Sequence, residues 1–317
     1  MNADAHDHGE AHGHGHGHHH DTEGMSDGRL VGAVVVNVLL TVAQLVGGAI
    51  SGSLSLIADA LHNLNDAASL AIALFARKVG RRPADKLMTF GYGQAEVVAA
   101  LINLTTLIIV GLYLVYEAIL RFIDPQPVEG WIIVIVAGIA LVIDVATALM
   151  VRVGAKHSLN IKAAFLHNVS DALASVGVII AGTLILLFDL YVADLIVTLI
   201  IAAYVLYQGF SLLPRTIRLL MHATPDSLDF DRVVDAIRGV DGVLNVHHVH
   251  LWNLGEHARA LEAHVQPQSA SLSEFAAVKA AIRTMLARDF KVKHATLEAC
   301  EAGEHPDEGP LQIPHKA

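Results

Sequence analysis

The chain has 317 residues, of which 54% are hydrophobic and 16% are charged, so it is too apolar for an ordinary soluble domain. Its net charge of −10, counted with neutral histidines, gives no basic excess of the kind that nucleic-acid binding requires. The single cysteine, Cys300, excludes an intramolecular disulfide framework and a zinc site built from four cysteines.

The N-terminal segment 1–28 alternates histidine with glycine and acidic residues. Such a composition cannot form a core, so we expect it to be disordered, and it is not a cleavable signal peptide. An expression tag is the alternative interpretation, but the irregular spacing and interleaved acids favour a native metal-gathering tail. Its weak metal ligands would be His12, His14, His16, His18, His19 and His20.

Six apolar runs follow, each about as long as the ~20 residues that a helix needs to cross a bilayer. They lie near 30–50, 55–77, 95–121, 131–152, 163–188 and 191–213. This pattern predicts an α-helical membrane domain with six transmembrane helices over residues 29–215.

Positive charges in the short loops predict the orientation, because lysine and arginine favour the cytoplasmic side of a membrane. One side carries almost all of them: Arg29, Arg77, Lys78, Arg81, Arg82, Lys86, Arg152, Lys156, Lys162, Arg215 and Arg218. On the other side only Arg121 occurs. With six spans, we expect both termini in the cytoplasm and the protein in a bacterial inner membrane.

Two of the apolar runs carry a similar polar motif, His62-Asn63-Leu64-Asn65-Asp66 and His167-Asn168-Val169-Ser170-Asp171. A spacing of four places the histidine and the aspartate of each motif on one helix face. Two such helices would present two imidazoles and two carboxylates to one point, a ligand set that suits tetrahedral Zn²⁺. Buried hydrogen bonds are the simpler interpretation, but ionisable groups at bilayer depth are costly and the motif occurs twice. We therefore predict a shared metal site.

Other acidic residues also fall within the apolar runs. Asp59 precedes His62 by three residues, so it shares that helix face. It could orient the imidazole without itself binding the metal. For Asp144 and Asp194 we expect interhelical hydrogen bonds or positions near the membrane surface.

Residues 222–300 are mixed in character. Amphipathic periodicity and alternation predict helices at 227–238 and 271–288, and strands at 243–253, 258–265 and 292–299. The order α-β-β-α-β predicts a small α+β domain, ferredoxin-like or metallochaperone-like, with helices on one face of an antiparallel sheet. Residues 301–317 contain three prolines and are expected to be disordered.

Histidines are frequent on the predicted strands of this domain. Alternation places His248 and His250 on one face and His247 on the other, while His264 ends the second strand. His294 and Glu298 share a face of the last strand. Solvated surface histidines and a second metal site both fit this pattern, and the sequence leaves open whether His248, His250 or Cys300 would contribute.

Together these features resemble the cation diffusion facilitator family of zinc and divalent-metal exporters. The resemblance covers about residues 28–300 and rests on the two His-x-x-x-Asp motifs and the α-β-β-α-β domain. It also rests on the segment from Arg82-Pro83-Ala84-Asp85 to Phe90-Gly91-Tyr92-Gly93-Gln94-Ala95-Glu96. The histidine-rich N-terminus resembles those of zinc-exporting members.

The resemblance implies a homodimer in the lipid bilayer, with its C-terminal domains paired in the cytoplasm. It implies a transport site formed by His62, Asp66, His167 and Asp171. A cytoplasmic regulatory site would draw on His247, His264, His294 and Glu298. Within the family, a histidine at the position of His62 accompanies a preference for zinc over cadmium, with Cd²⁺ and Co²⁺ as alternative substrates.

Two positions depart from the family pattern. Some members have a metal site in the loop between the second and third spans, built from one aspartate and two histidines. Here Asp85 remains but Met88 and Tyr92 occupy the histidine positions, so no such site is expected. Gln94 stands where some members carry a lysine that forms a charge pair across the dimer, so any such lock must differ.

The ligand set predicts Zn²⁺/H⁺ antiport, because zinc needs neutral imidazole and ionised carboxylate and so competes with protons. An intramembrane zinc hydrolase would need a general base, as in His-Glu-x-x-His, but Asn63 and Asn168 follow the histidines. We therefore expect no enzyme activity. A membrane metal sensor would share all these features, and only transport measurements separate it from an antiporter.

Overall fold

The computed structural model describes residues 27–152, 159–255, 258–269 and 271–300. The predicted tails 1–28, apart from its last two residues, and 301–317 lie outside them. The elements are α1 (Asp27–Ser51), α2 (Leu54–Gly80), α3 (Ala95–Ile123), α4 (Gly130–Arg152), α5 (Leu159–Phe188), α6 (Val192–Leu220), α7 (Phe230–Arg238), β1 (Val243–Asn253), β2 (Arg259–Pro267), α8 (Leu272–Asp289) and β3 (Val292–Ala299).

The six long helices α1–α6 coincide with the six apolar runs. Within the described residues, four helical segments are long and apolar enough to cross a membrane: Ala95–Ile123, Gly130–Met150, Phe165–Phe188 and Val192–Leu220. In α1 the apolar stretch found among the described residues, Val38–Ser51, is shorter than a membrane span requires. Because α2 carries several polar and charged side chains along its length, it falls short of this apolarity. Four spans are therefore established, and six remains a prediction.

The long helices are arranged in pairs. α4 packs most extensively against α5, α3 against α6, and α1 against α2, whereas α2 and α5 contact each other sparsely. The α4–α5 approach is close because Gly182 carries no side chain: a Cβ there would lie 2.9 Å from Cγ2 of Ile133. The two helices with the His-x-x-x-Asp motifs thus pack mainly against other helices, α5 against α4 and α2 against both α1 and α3.

Two buried aspartates join helices, as the sequence predicted. Asp194, in the first turn of α6, accepts hydrogen bonds at the N-terminus of α2 from Ser53 Oγ at 2.6 Å, Leu54 N at 2.7 Å and Ser55 Oγ at 2.6 Å. A carboxylate is favourable there, since a helix N-terminus leaves unsatisfied N–H groups and a partial positive charge. Asp144 of α4 accepts a hydrogen bond from Ser175 Oγ of α5 at 3.1 Å. Both predicted interhelical bonds are confirmed.

The C-terminal domain has the predicted element order, α7-β1-β2-α8-β3. Its sheet has the order β1-β2-β3, with β1 antiparallel to β2 and β2 parallel to β3. The expectation of a wholly antiparallel sheet is wrong. α8 connects β2 to β3 as a crossover and brings the chain back to the edge of the sheet at which β2 begins, so β3 runs parallel to β2. Both helices pack on the sheet, through Val233 and Ile237 of α7 and Ile282 and Leu286 of α8.

The turn between β1 and β2 contacts the segment that joins α2 to α3. A Cβ on Gly93 would lie 3.1 Å from Leu254 O, and a Cβ on Gly255 would lie 3.1 Å from Gly93 O. Next to these glycines, Gln94 Nε2 donates a hydrogen bond to Asn253 O at 3.4 Å. Two backbones therefore approach each other closely here, and a side chain at either glycine would push them apart.

Candidate metal sites

The first site lies between α2 and α5, where four side chains converge. His62 Nε2 is 3.6 Å from Asp66 Oδ2 on its own helix and 3.6 Å from Asp171 Oδ1 on α5. His167 Nε2 is 3.2 Å from Asp66 Oδ2 and 3.4 Å from Asp171 Oδ2. Each imidazole thus faces a carboxylate from both helices, as the four-residue spacing anticipated.

These separations suit a small tetrahedral cation. Metal–ligand distances of about 2.0–2.1 Å place the four ligand atoms of a tetrahedral zinc site about 3.3 Å apart. The four separations between an imidazole Nε2 and a carboxylate oxygen are 3.2–3.6 Å, and Asp171 turns Oδ1 toward His62 and Oδ2 toward His167. With one ligand atom from each residue, His62, Asp66 and His167 lie within 4.8 Å of one another. In addition, the buried atoms His62 Nδ1 and Asp171 Oδ1 make no hydrogen bond to any described residue.

Exposure changes across the site. The side chains of His62 and Asp171 are 6% and 10% exposed, whereas those of Asp66 and His167 are 33% and 44% exposed. Asp66 and His167 lie one helical turn nearer the ends of α2 and α5 that lead to Gly80 and Leu159. The site is therefore open toward those ends and closed toward the opposite ends.

Asp59 does not contact the imidazole that it was expected to orient. Among the hydrogen bonds of the described residues, none joins Asp59 to His62; Asp59 Oδ2 instead accepts from Gln44 Nε2 of α1 at 2.6 Å. The same glutamine accepts a hydrogen bond from Asn63 Nδ2 through Oε1 at 3.1 Å. The ring of Tyr204, from α6, lies edge-on to His62 at 6.2 Å between centroids.

A second cluster lies in the C-terminal domain. His247 and His264 are direct cross-strand partners on β1 and β2, and Cys300 follows β3. One ligand atom from each of the three lies within 4.8 Å of the others. Glu298 Oε2 is 3.6 Å from His264 Nε2 at the edge of this cluster. Two imidazoles and a thiolate form a donor set that fits Zn²⁺.

His294 does not join this cluster. It pairs with Ala260 near the start of β3, whereas Glu298 pairs with His264, and four residues of strand separate the two by about 13 Å. The His294 ring instead packs edge-on against Phe90 at 5.9 Å between centroids. Of the residues predicted for the regulatory site, His294 therefore lies apart from His247 and His264. The structure instead places Cys300 next to these two histidines.

A β-bulge explains why alternation misplaced the histidines of β1. The register shifts between His247 and His250, and His248 has a positive φ of 50°. Because a bulge interrupts strict alternation, His247 and His248 both approach His264, at 5.4 and 4.6 Å between ring centroids. His250 contacts His248 at 4.9 Å and is exposed.

The loop between α2 and α3 uses its aspartate for structure. Asp85 accepts hydrogen bonds from Tyr92 Oη at 2.7 Å and from the backbone of Leu87 and Met88, each at 2.8 Å. The bond from Tyr92, followed by those from the backbone, holds the pKa of Asp85 below its usual value. Tyr92, one of the two residues at the family's histidine positions, thus holds this carboxylate within the turn.

Sequence reasoning left two residues without an assigned role. Cys300 follows Glu298 by two positions, so the period of a strand places both on one side of β3, and that signal was present. Gln44 was visible only as a polar residue in an apolar run, and nothing in the sequence indicates that it spans Asp59 and Asn63.

Two family matches cover the chain. The family described as "Cation efflux transmembrane domain" matches residues 30–221, and "Cation efflux protein, cytoplasmic domain" matches residues 225–301. This chain belongs to the cation diffusion facilitator family. It is an integral membrane protein with a cytoplasmic C-terminal domain, and its relatives are membrane transporters of metal ions, not enzymes.

Curated relatives align over most of their length. The "Cadmium, cobalt and zinc/H(+)-K(+) antiporter" of Bacillus subtilis is 37% identical over 70% of this chain and 72% of its own length. The "Metal cation efflux system protein CzcD" of Cupriavidus metallidurans is 36% identical over 87% and 89%. The "Zinc transporter ZitB" of Escherichia coli is 35% identical over 80% and 81%.

One solved structure is similar to the C-terminal domain in sequence. Its title is "Metal-bound C-terminal domain of the CzcD transporter from Cuprividus metallidurans". It is 29% identical, covers 23% of this chain and 99% of its own, and has a TM-score of 0.22.

Proposed function

We propose that this cation diffusion facilitator exports zinc from the cytoplasm by Zn²⁺/H⁺ antiport. The observation that carries the proposal is that the imidazoles of His62 and His167 each lie 3.2–3.6 Å from oxygens of both Asp66 and Asp171, separations that the ligands of a tetrahedral site can adopt. Relatives named as zinc transporters and as a zinc/H⁺-K⁺ antiporter support the substrate and the counter-ion. Cd²⁺ and Co²⁺ would be alternative substrates.

Coupling follows from the chemistry of the ligands. Zinc binds neutral imidazole and ionised carboxylate, so a bound ion and bound protons exclude each other at the same four side chains. When the site opens to the outer side, protons entering it displace zinc, and zinc entering from the cytoplasm displaces protons. One set of residues thereby exchanges the two cations in opposite directions.

The exposure pattern supports a cytoplasm-facing state of this site. With the helix ends that carry Arg77, Lys78 and Lys162 on the cytoplasmic side, the more exposed ligands Asp66 and His167 face the cytoplasm. The buried ligands His62 and Asp171 lie toward the outer side. This is the conformation in which zinc would load. The proposal also includes six membrane spans, with both termini in the cytoplasm. The membrane would be a bacterial inner membrane.

A second ion would serve regulation. We assign His247, His264 and Cys300, with Glu298 at the edge, to a zinc site that favours the transport-competent arrangement through differential affinity. The C-terminal family is named ZT_dimer, which supports a homodimer with paired cytoplasmic domains. The histidines of the N-terminal tail would gather metal weakly.

The deciding experiment measures Zn²⁺ and Cd²⁺ uptake into proteoliposomes under an imposed pH gradient. Wild type should show gradient-dependent zinc uptake, and Asp171→Asn, which removes one charged ligand and little volume, should show none. Asp124→Asn makes the same chemical change at an exposed position and should transport normally. Uptake that survives in Asp171→Asn would refute the assigned site. No uptake by wild type would favour a metal sensor.

A further inference from the structure

One buried polar contact beside the transport site has no role in the function proposed above. Gln44 of α1 is fully buried, and both ends of its amide bind α2. Nε2 donates to Asp59 Oδ2 at 2.6 Å, and Oε1 accepts from Asn63 Nδ2 at 3.1 Å. Asp59 and Asn63 are 1% and 6% exposed, so water does not substitute for either bond.

The glutamine spans the helical turn that carries His62. Asp59 precedes His62 by three residues and Asn63 follows it directly. Because one side chain binds both positions, α2 cannot rotate about its axis here without leaving a buried polar group unsatisfied, which is costly.

Within the part of the chain that the structure describes, the orientation of the His62 ring is not fixed through its Nδ1 atom. Metal-binding histidines usually donate their second ring nitrogen to a carboxylate or carbonyl, which sets the ring orientation. Within the described residues, His62 Nδ1 makes no such bond. The placement of its Nε2 relative to His167 and Asp171 of α5 therefore depends on how α2 itself is held.

The α5 side of the site is held in a similar but weaker way. Ser175 lies four residues after Asp171, on the same face of α5, and its hydroxyl donates to Asp144 of α4 at 3.1 Å. Ser175 joins α5 to α4 through a neutral donor, whereas Gln44 makes two bonds to α2. Elsewhere α2 is also bonded to α6, through Asp194, and to α3, where Ser69 Oγ donates to Asn103 Oδ1. The bonds from Gln44 are those that flank His62 in the sequence.

We propose that Gln44 is a positioning residue for the transport site, which fixes the rotation of α2 and so sets the fit of His62 to the metal. This inference rests on the proposed transport function. Since ions of different radius need different ligand separations, Gln44 also contributes to the discrimination between zinc and cadmium.

The test exchanges the hydrogen-bonding partners. Gln44→Glu places two carboxylates face to face, and Asp59→Asn places two amides there. The double variant restores a carboxylate–amide pair with the roles reversed, while position 44 can still accept from Asn63. We expect each single change to weaken zinc binding by about ten- to a hundredfold, and the double variant to return close to wild type.

Two readouts are needed on the full-length protein. Zinc affinity is measured in detergent by competition with a chelator, and proteoliposome flux gives the half-saturating zinc concentration, the maximal rate and the zinc-to-cadmium ratio. Gln44→Leu should raise the half-saturating concentration more than it lowers the maximal rate. The control is Thr198→Val, at a fully buried threonine whose hydroxyl bonds only within α6, to Asp194 O, and it should leave affinity unchanged.

The outcomes separate this inference from the proposed function. If the double variant binds zinc no better than the weaker single variant, or if Gln44→Leu keeps the wild-type affinity and ion ratio, Gln44 does not position the site. If wild type binds zinc and the exchange restores binding, but no variant or wild type transports, the positioning role stands and the antiport proposal fails.

Discussion

The proposed transport site and the cytoplasmic cluster offer similar donor atoms but hold them differently. In the membrane domain the proposed ligands come from α2 and α5, which contact each other sparsely and are bonded to other helices, α2 to α1, α3 and α6, and α5 to α4. In the cytoplasmic domain His247 and His264 are direct partners in one antiparallel pair, and Cys300 N donates to Val265 O at 3.1 Å.

This difference indicates what each site does with its ion. A small tilt of α2 relative to α5 changes the distances among the four proposed transport ligands without breaking a hydrogen bond within either helix. Parting His247 from His264 would require breaking the backbone hydrogen bonds of the sheet. The first arrangement suits an ion that must be released, and the second suits an ion that remains bound.

The largest expected effect compares one histidine from each site. His167→Ala should reduce pH-driven zinc flux to background, because three ligands remain for an ion that needs four. His264→Ala should keep gradient-driven flux and change only the cytoplasmic zinc concentration that half-activates it. Equal loss of flux in both variants, with normal folding, would contradict the distinction between the two sites.

Zinc should stabilise the cytoplasmic domain strongly. An ion bound only by the folded state adds about 2.7 kcal/mol at a hundred times its Kd. Hydrogen exchange of β1 and β2 in the full-length protein should therefore slow when zinc is added. Cys300→Ser should remove most of this protection, while exchange in α2 and α5 keeps its response to zinc. Undiminished protection in Cys300→Ser would exclude the thiol as a ligand.

The α4–α5 pair offers a test of rigidity in the membrane domain. Gly182→Ala places a methyl group 2.9 Å from Ile133, and such overpacking costs about 1–3 kcal/mol. The matched control, Gly138→Ala, introduces a methyl group where no other heavy atom lies within 4 Å. Thermal unfolding in detergent should show a lower midpoint for the first variant alone. Equal midpoints would mean that the pair is loosely packed.

Glu298 should contribute least. Its side chain is 68% exposed and lies 3.6 Å from His264, and solvent-exposed ion pairs contribute about 0–1 kcal/mol. We expect Glu298→Gln to change the zinc affinity of the cytoplasmic domain by a few-fold at most, measured by chelator competition. A loss as large as that in Cys300→Ser would make Glu298 a direct ligand.

The regular periods of helix and strand account for what the sequence could predict. The helical period brings His62 to Asp66 and His167 to Asp171, and the alternation of β3 gives its bounds, 292–299. Where the backbone departs from regularity, prediction failed: the bulge at His248 moves two neighbouring histidines toward His264. The parallel pairing of β3 also follows from how α8 crosses the sheet, which local patterns do not encode.

Contacts between distant segments were equally hidden. Nothing local in the sequence indicates that Gln44 bonds α2, or that Cys300 meets His247. A single polar residue in an apolar run is compatible with many partners, and only packing of the helices selects one. The residues of the candidate metal site in the membrane domain were thus predictable from spacing, whereas the hydrogen-bond partners around them required the structure.

The close approach of Gly93 and Gly255 constrains how this protein can diverge. A Cβ on Gly93 would lie 3.1 Å from Leu254 O, and one on Gly255 would lie 3.1 Å from Gly93 O, so a larger residue at either position requires the facing backbone to shift. Across related sequences, glycine should be kept or lost at the two positions together. A lineage that lost both would have separated the hairpin bearing His247 and His264 from the loop leading into α3.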